Sequence, residues 1–284
     1  MQPREEDTWD IVVKPEASLF QLNLKEVWRY RDLIMLMVKR DLTAIYKQTI
    51  LGPLWMFIQP LFTTLIYTFT FGQAGLSTDG IPPLLFYLIG QTFWSYFAEC
   101  LNKTSTTFIA NAAVFGKVYF PRLVMPLSVV VSNLARLGIQ ILLMLSVYFY
   151  FMFTTESIHP QLPLLIMLPV LILILGGFSL SLGILFSSLT TKYRDFTFLL
   201  TFAVQLLMFL SCVVFPATMF GGTKQFILLF NPVASSLEAI KYILCGHGIF
   251  SPVHLITGTI LTLIMFLFSL MIFNRTERTF MDTV

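Results

Sequence analysis

The stretch RDLTAIYKQTILGPLWMFIQPLFTTLIYTFTFG, residues 40–72, passes from a charged segment to an apolar one within a few positions. Three of its first eight residues are charged, and no charged residue then occurs between Lys47 and Asp79. The apolar part that follows Gly52-Pro53 is about 20 residues long, which is the helical length needed to cross a hydrocarbon layer of roughly 30 Å. The stretch therefore predicts a polar segment followed by entry into a membrane.

The composition of the whole chain favours the same class of protein. Of 284 residues, 56% are hydrophobic and only 12% are charged, whereas a soluble domain has about 25% charged residues. We expect an all-α integral membrane protein with six transmembrane helices. The predicted spans are residues 52–72, 84–102, 123–152, 163–187, 196–216 and 253–273.

The positive charges predict the orientation of these spans. Fifteen of the 18 lysines and arginines fall in the N-terminal region, the loops 103–122 and 188–195, or the C-terminal tail. Because cytoplasmic segments are enriched in lysine and arginine, both termini are predicted to be cytoplasmic. The predicted divisions are a cytoplasmic N-terminal segment at 1–22, an interface helix at 23–48, a single transmembrane domain at 49–274 and a cytoplasmic tail at 275–284.

The segment before the first span has the pattern of an amphipathic helix lying in the plane of the membrane. Asn23 followed by Glu26 is typical of a helix start, and most of the basic residues fall on one face. Glycine at the corner allows a turn, and proline suits the first position of the next helix. A plain juxtamembrane anchor is the simpler alternative. Candidate lipid-headgroup and interface residues are Arg29, Arg40, Lys47, Gly52, Pro53 and Trp55.

The chain lacks a sequence that could bind and hydrolyse ATP. A phosphate-binding loop requires G-x-x-x-x-G-K-[ST]. The Gly-Lys pair in this chain is Gly116-Lys117, with Asn111 at the first glycine position and Val118 at the Ser/Thr position. Any ATP-driven activity therefore requires a partner chain.

Four blocks of sequence, in order, resemble the permease subunits of bacterial ABC exporters for O-antigen, capsular polysaccharide and teichoic acid. They are RDLIMLMVKRDLTAIYKQTILGPLWMFIQPL (31–61), GKVYFPRLVMPLS (116–128), YRDFTFLL (193–200) and NPVASSLEAIKY (231–242). The lead-in WDIVVKP also fits, and the resemblance covers essentially the whole chain. One departure is LTAI after Asp41, where the family favours a basic residue.

The resemblance implies a division of labour between two kinds of subunit. Two copies of the six-span permease pair with two copies of a separate ATPase, which binds ATP and magnesium. The permease itself would bind no cofactor and no nucleic acid. The expected substrate is a lipid-linked polysaccharide on an undecaprenyl-type lipid. It would cross the bacterial inner membrane between spans one and five of the two protomers.

By the same resemblance, the cytoplasmic loop 103–122 would dock a short helix in a groove of the ATPase. The alternative is an ordinary basic loop. The candidate coupling residues are Asn111, Lys117, Val118, Tyr119, Phe120, Pro121 and Arg122.

The outer connector 217–252 is too apolar for a solvated loop and too interrupted by proline and glycine for a full span. Two short helices, at 224–230 and 233–245, are predicted to form a re-entrant hairpin, which the family places at the channel mouth. Glu238 and Lys241 lie three residues apart, and would either line that mouth or form an exposed helix-stabilising pair.

Arg136 is the one basic residue well inside a predicted span, with Asn133 and Gln140 on the same helical face. Because an ionisable group in a membrane faces a bundle interior or a cavity, the stripe would either recognise a pyrophosphate or headgroup or form a structural cluster. Aromatic residues of spans one and two could stack on sugars. The candidate channel or gate residues are Tyr67, Phe71, Trp94, Arg136, Glu238 and Lys241.

Two other functional classes remain open. One is an exporter of drugs or other small molecules on the same fold, against which the lead-in and the VYFPR block argue. The other is a membrane enzyme that acts on lipid-linked sugars. Such an enzyme needs clustered carboxylates or a metal site, but Glu99, Asp195 and Glu238 are isolated from one another in sequence.

Overall fold

The computed structural model describes residues 24–47, 51–111, 120–193 and 195–280, which form helices and connecting segments with no strand among them. Three short 3-10 helices, Gly52–Leu54, Leu162–Met167 and Ala217–Thr223, accompany the α-helices. The α-helices of these residues are α1 (Leu24–Arg29), α2 (Arg31–Tyr46), α3 (Trp55–Gln73), α4 (Pro83–Ser105), α5 (Thr107–Ala110), α6 (Val124–Thr154), α7 (Leu168–Lys192), α8 (Phe196–Leu210), α9 (Lys224–Phe230), α10 (Pro232–Cys245) and α11 (Pro252–Phe280).

Several of these helices are long and apolar enough to cross a membrane. By length and composition, the segments Val124–Thr154, Leu162–Thr190 and Pro252–Asn274 each qualify on their own. The segments Ala217–Phe230 and Pro232–Cys245 qualify only as a pair, and they meet at a bend of 107°. The protein is therefore an all-helical, multi-pass membrane protein.

Helix α8 is shorter than the predicted span 196–216. It ends at Leu210, and its 15 residues cover roughly 22 Å, less than the hydrocarbon thickness of about 30 Å. Two residues later, Cys212 has a φ of 57° and turns the chain. The side chain of Asn231 donates hydrogen bonds to the carbonyl of Leu210 at 3.3 Å and to the hydroxyl of Ser211 at 3.1 Å. These contacts satisfy backbone and side-chain groups where the helix stops.

The centre of the bundle is the packing of α4 against α7. Gly176 and Gly183 lie two turns apart on α7, and both face α4. A Cβ atom at Gly176 would lie 2.5 Å from the hydroxyl of Tyr96, and one at Gly183 would lie 2.5 Å from the Cβ of Thr104. Small residues at such positions let helix backbones approach closely in a membrane, where packing rather than hydrophobic exclusion drives association.

The connecting segments gather at the two ends of the bundle. At one end, Thr190 donates a hydrogen bond to the carbonyl of Ser105 at 2.8 Å, and the rings of Phe108 and Phe273 stack at 5.1 Å. This end contains the described parts of the two loops that are predicted to be cytoplasmic. At the other end, Thr218 donates to Asp79 at 2.6 Å, which connects the 74–82 segment to the region before α9.

The segment before the first span forms two helices rather than the predicted single helix. Tyr30, with φ −92° and ψ 19°, separates α1 from α2. Val27 of α1 and Met37 of α2 are buried in a cluster with Phe120 and the first residues of α6. The same helices expose large apolar side chains on another face, for example Trp28 and Leu36. This two-sided apolar character is typical of a helix lying at a membrane surface while packed on the bundle.

Helix α10 is buried along its whole length, and both of its ends are satisfied. The Asn231 side chain accepts hydrogen bonds from the backbone N–H groups of Val233 and Ala234, at 3.0 and 3.2 Å. At the other end, the backbone N–H of His159 donates to the carbonyl of Cys245 at 3.0 Å. Tyr148 donates to the neighbouring carbonyl of Leu244 at 2.7 Å. The ends of a buried helix require such partners because water cannot satisfy them there.

Candidate functional site

Arg136, the isolated cation of the predicted third span, has a counter-charge on α4. Its guanidinium Nη1 lies 3.2 Å from Oε2 of Glu99, and the same oxygen lies 3.0 Å from Nζ of Lys103. Glu99 and Lys103 are four residues apart on α4 and therefore share a helical face. One carboxylate thus serves two cations, and the three charged side chains bring α4 and α6 together.

A second charged group reaches the same region from α2. Arg40 donates to Asp41 through Nε and Nη2, at 3.0 and 2.9 Å from the same carboxylate oxygen. The other oxygen of Asp41 accepts a longer hydrogen bond of 3.5 Å from Ser132 of α6. The helical wheel places Asp41 on the apolar side of the interface helix, and its contact with α6 explains that position.

These groups surround an open cavity of about 480 Å³ between α2, the end of α4, α5 and α6. Arg40, Lys103 and Arg136 supply positive charge to its wall, and Asp41 supplies a carboxylate. The remaining lining combines threonine, serine and asparagine side chains with alanine and valine. We refer to this space as the basic cavity.

A smaller polar space lies beside the basic cavity, between α3, α4 and α6. Its volume is about 30 Å³, and it shares Asn133 and Arg136 with the basic cavity. Gln140 accepts a hydrogen bond of 3.1 Å from Ser95 here. The Oε1 atom of Gln91 and the Nε atom of Arg136 are buried without a hydrogen-bond partner. This space is large enough to admit water.

The basic cavity can bind an anion. Guanidinium groups hold phosphate through paired, charge-assisted hydrogen bonds, and an ammonium adds a compact point charge. In contrast, the described part of the chain contains no group of three His, Cys, Asp or Glu side chains that could hold a metal ion.

Only some of the predicted lipid-headgroup and interface residues lie at the basic cavity. Arg40 lines the basic cavity, and Lys47 lies with it along a separate groove on α2. Arg29 is exposed on α1 and lines neither cavity. The corner residues lie between α2 and α3: Gly52 has a φ of 49°, Pro53 lies in a 3-10 turn that includes Gly52, and Trp55 begins α3 with 49% of its surface exposed.

The predicted coupling residues fall into three groups. Lys117, Val118 and Tyr119 lie outside the described residues. Phe120 is only 5% exposed and packs in the cluster formed with α1, α2 and the start of α6, followed by Pro121 and Arg122. Asn111 lines the basic cavity, and its side chain donates to the carbonyl of Thr107 at 2.9 Å.

The expectation that Glu238 and Lys241 form an exposed pair or line an open mouth is wrong for this structure. Both side chains are 1% exposed and form an ion pair of 3.0 Å inside the protomer. Lys241 also donates to the carbonyl of Cys212 at 2.5 Å, and its Nζ lies 3.8 Å from the centre of the Phe86 ring. The pair faces inward because α10 is packed against α4 and the turn that follows α8.

The aromatic channel residues also differ from expectation. Trp94 is 5% exposed and packs against Phe97, with ring centroids 5.3 Å apart, so the structure contradicts its assignment to a channel wall. Tyr67 and Phe71 are half-buried, and both rings contact Tyr87 of α4 at 6.1 Å. These rings hold α3 against α4.

Sequence reasoning identified Arg136 but not its partners. Glu99 is the one carboxylate within the six predicted spans, just as Arg136 is the one basic residue. Since an isolated charge in a membrane needs a counter-charge, these two solitary residues could have been paired from the sequence alone. Lys103 lies one residue beyond the predicted second span, so it was counted only as a loop charge.

The sequence pattern of the ABC-2 type transporter family matches residues 32–245, about three quarters of the chain. An O-antigen export system permease protein RfbA from Klebsiella pneumoniae is 28% identical over 256 residues, which are 88% of this chain and 94% of that protein. A permease of the same name from Myxococcus xanthus is 26% identical over 229 residues, covering 79% of this chain and 84% of that protein. The matched region runs from the second residue of α2 to the last residue of α10. These matches confirm the family predicted from the four sequence blocks, and the chain belongs to the ABC-2 type transporter family.

Proposed function

We propose that this protein is the permease subunit of an ABC transporter that exports a lipid-linked O-antigen polysaccharide across the bacterial inner membrane. The observation that carries the proposal is similarity over nearly the full length of two O-antigen export permeases. The helical membrane architecture fits a transport subunit. The Arg136–Glu99–Lys103 network adds a charged site that a substrate with an anionic headgroup would need.

The proposed assembly contains two copies of this chain and two copies of a cytoplasmic ATPase, which binds ATP and magnesium. The absence of a phosphate-binding loop in the sequence supports a separate ATPase. The loop 103–122 is the proposed ATPase contact, because the segments at both of its ends are anchored to the bundle. Phe108 stacks on α11 near one end, and Phe120 packs against α1 and α2 at the other.

The proposed topology has six spans with both termini in the cytoplasm. Helices α3, α4, α6, α7, α8 and α11 are the spans, and α9 with α10 forms a re-entrant hairpin at the outer mouth. The 107° bend between the two parts of the hairpin supports this arrangement. The polysaccharide would pass between α3 and α8 of the two protomers, where Phe62, Phe69 and Phe202 are exposed on the single chain.

The test combines assembly with export. The chain is co-expressed with the ATPase encoded beside it, the complex is purified in lipid, and ATP hydrolysis is measured. In parallel, surface O-antigen is measured in a strain that lacks the permease and is complemented with the chain. An ATPase variant that lacks its phosphate-binding lysine is the matched control.

We expect ATPase co-purification, and surface O-antigen only when both subunits are active. The proposal is contradicted if no ATPase co-purifies and surface O-antigen is unchanged by deletion. Transport of a drug in place of glycan would favour the small-molecule exporter instead.

A further inference from the structure

The basic cavity is built from three cations that are far apart in sequence. Arg40 comes from α2, Lys103 from the end of α4 and Arg136 from α6. Bringing three positive groups to one wall is electrostatically unfavourable unless anions accompany them. The convergence of positive charge from three elements therefore makes this wall attractive to an anion.

The carboxylates of the protein do not balance these cations. Asp41 and Glu99 supply two negative charges against three positive ones. Glu99 is shared between Lys103 and Arg136, with all its contacts through one oxygen, Oε2. Arg40 uses only Nε and Nη2 on Asp41, and Arg136 pairs with Glu99 through Nη1. Several charged N–H donors thus remain for a ligand, because each guanidinium carries five.

The volume and the position of the cavity fit a diphosphate on a lipid. At about 480 Å³, it lies within the range of roughly 300–1,000 Å³ of pockets that bind small ligands, and it exceeds the needs of one inorganic ion. Arg40 and Ala44 also line a groove along α2 with Leu36 and Lys39. Leu36 is 61% exposed, so apolar surface for an acyl or prenyl chain lies beside the charged wall.

The geometry points to the basic cavity as the binding site for the diphosphate of a lipid-linked glycan, with Arg40, Lys103 and Arg136 as its ligands. This assignment rests on the proposed export function. The bound diphosphate accepts hydrogen bonds from the three cations, and the lipid chain lies along the exposed apolar side of α2. Asn111 and Asn133, which also line the cavity, are placed to contact the first sugar.

Glu99 is the competitor of the ligand in this arrangement. It holds Lys103 and Arg136 in place while the cavity is free, and it releases part of their hydrogen-bonding capacity when a phosphate arrives. Replacing Glu99 by glutamine preserves the shape of the side chain but removes its charge. If the network were only structural, this change would loosen the helices without improving the binding of any anion.

The experiment measures ligand binding to the purified permease–ATPase complex in nanodiscs made of neutral lipid. The probes are undecaprenyl diphosphate, undecaprenyl monophosphate, inorganic diphosphate and phosphatidylglycerol. Undecaprenyl diphosphate is expected to bind best, because only this probe supplies both two linked phosphate groups and the prenyl chain. Equal binding of inorganic diphosphate would overturn the assignment to a lipid. Equal binding of phosphatidylglycerol or the monophosphate would overturn the assignment to a diphosphate.

The variants distinguish binding in the basic cavity from a general effect of positive surface charge. Arg40→Gln, Lys103→Gln and Arg136→Gln should each weaken binding of undecaprenyl diphosphate by about tenfold or more, the loss expected for a charge-assisted hydrogen bond. Glu99→Gln should strengthen it several-fold. Arg31→Gln is the matched control, because Arg31 lies on α2 with its side chain 61% exposed, outside the basic cavity. Arg136→Lys keeps the charge at the position should Arg136→Gln fail to assemble.

Three results would overturn the proposal: unchanged binding in all three cation variants, an equal loss in Arg31→Gln, or weaker binding in Glu99→Gln. Each variant is also scored for surface O-antigen in the complemented strain. If wild-type protein restores export while the cation variants bind and export normally, the site is wrong and the proposed function stands. If wild-type protein restores no export, the proposed function itself fails.

Discussion

The buried pair Glu238–Lys241 gives a sharp prediction about stability. Replacing Lys241 by methionine keeps much of the side-chain volume but leaves the Glu238 carboxylate 1% exposed without its cation. Its remaining contact is a hydrogen bond of 3.4 Å from the backbone N–H of Ile249. Removing one partner of a buried ion pair costs about 3–5 kcal/mol. The variant should therefore lose roughly that much stability, together with the hydrogen bond to the Cys212 carbonyl.

Replacing Glu238 should cost less stability than replacing Lys241. In Glu238→Gln, Lys241 keeps the Cys212 carbonyl at 2.5 Å and the face of the Phe86 ring, so its charge retains two partners. A double variant, Glu238→Gln with Lys241→Met, should recover much of the loss of Lys241→Met because no uncompensated charge remains. The order of stability is then wild type, the glutamine variant, and last the methionine variant.

The assay heats the purified complex in detergent and measures the loss of the monodisperse species as a function of temperature. A loss of about 3–5 kcal/mol corresponds to a fall on the order of 10 °C for a chain of this size. Lys224→Met is the matched control, since Lys224 begins α9, the helix directly before α10, and is only half-buried. An unchanged midpoint for Lys241→Met, or a double variant no better than the single one, would refute the reasoning.

Three further changes test the packing. Gly183→Ala places a methyl group 2.5 Å from Thr104 and should cost about 1–3 kcal/mol of stability. Gly138→Ala is the control, because it has open space around it and should leave the melting temperature unchanged. Equal effects of the two changes would contradict the close approach of α4 and α7. Phe120→Ala should cost about 3–5 kcal/mol and increase proteolysis between α1 and α2, with Phe120→Leu restoring most of the protection. Asn231→Ala should lower stability by about 1 kcal/mol or more, while Asn231→Asp retains the cap acceptor; an aspartate variant as unstable as the alanine variant would count against the cap.

The sequence predicts the membrane class and the bounds of individual long helices well because both depend on local composition. Helix α4 spans 83–105 where 84–102 was expected, and α6 spans 124–154 where 123–152 was expected. Such segments need only enough apolar length and an apolar face, which a single pass along the chain shows.

The end of α8 could not be predicted because distant side chains stabilise it. Residues 212–215 are apolar, and residues 211–215 contain neither glycine nor proline, so no strong local signal stops the helix before Pro216. The turn at Cys212 is held by Lys241, and the end of the helix by Asn231. Both contacts form only after the chain has folded back by 20 residues or more.

The candidate site also combines residues that local sequence identifies with contacts that depend on distant parts of the chain. Arg136 was identifiable because a lone charge in an apolar run is conspicuous, and Glu99 carried the same signal on another span. The meeting of Arg40 with this pair depends on how α2 lies across the start of α6, which is set by the Phe120 cluster. Sequence spacing contains no information about that crossing.

Phe120 packs the end of the 103–122 loop against the interface helices α1 and α2. If an ATPase displaced that loop, the packing of Phe120 would transmit force to α2, which carries one wall of the basic cavity. Two equilibria that share a moving part are coupled, and coupling between binding sites is reciprocal. Occupation of the cavity would then change the affinity of the ATPase for nucleotide by the same factor by which nucleotide changes the affinity for substrate. Substrate binding in the cavity would thereby change nucleotide binding by the ATPase before ATP is hydrolysed.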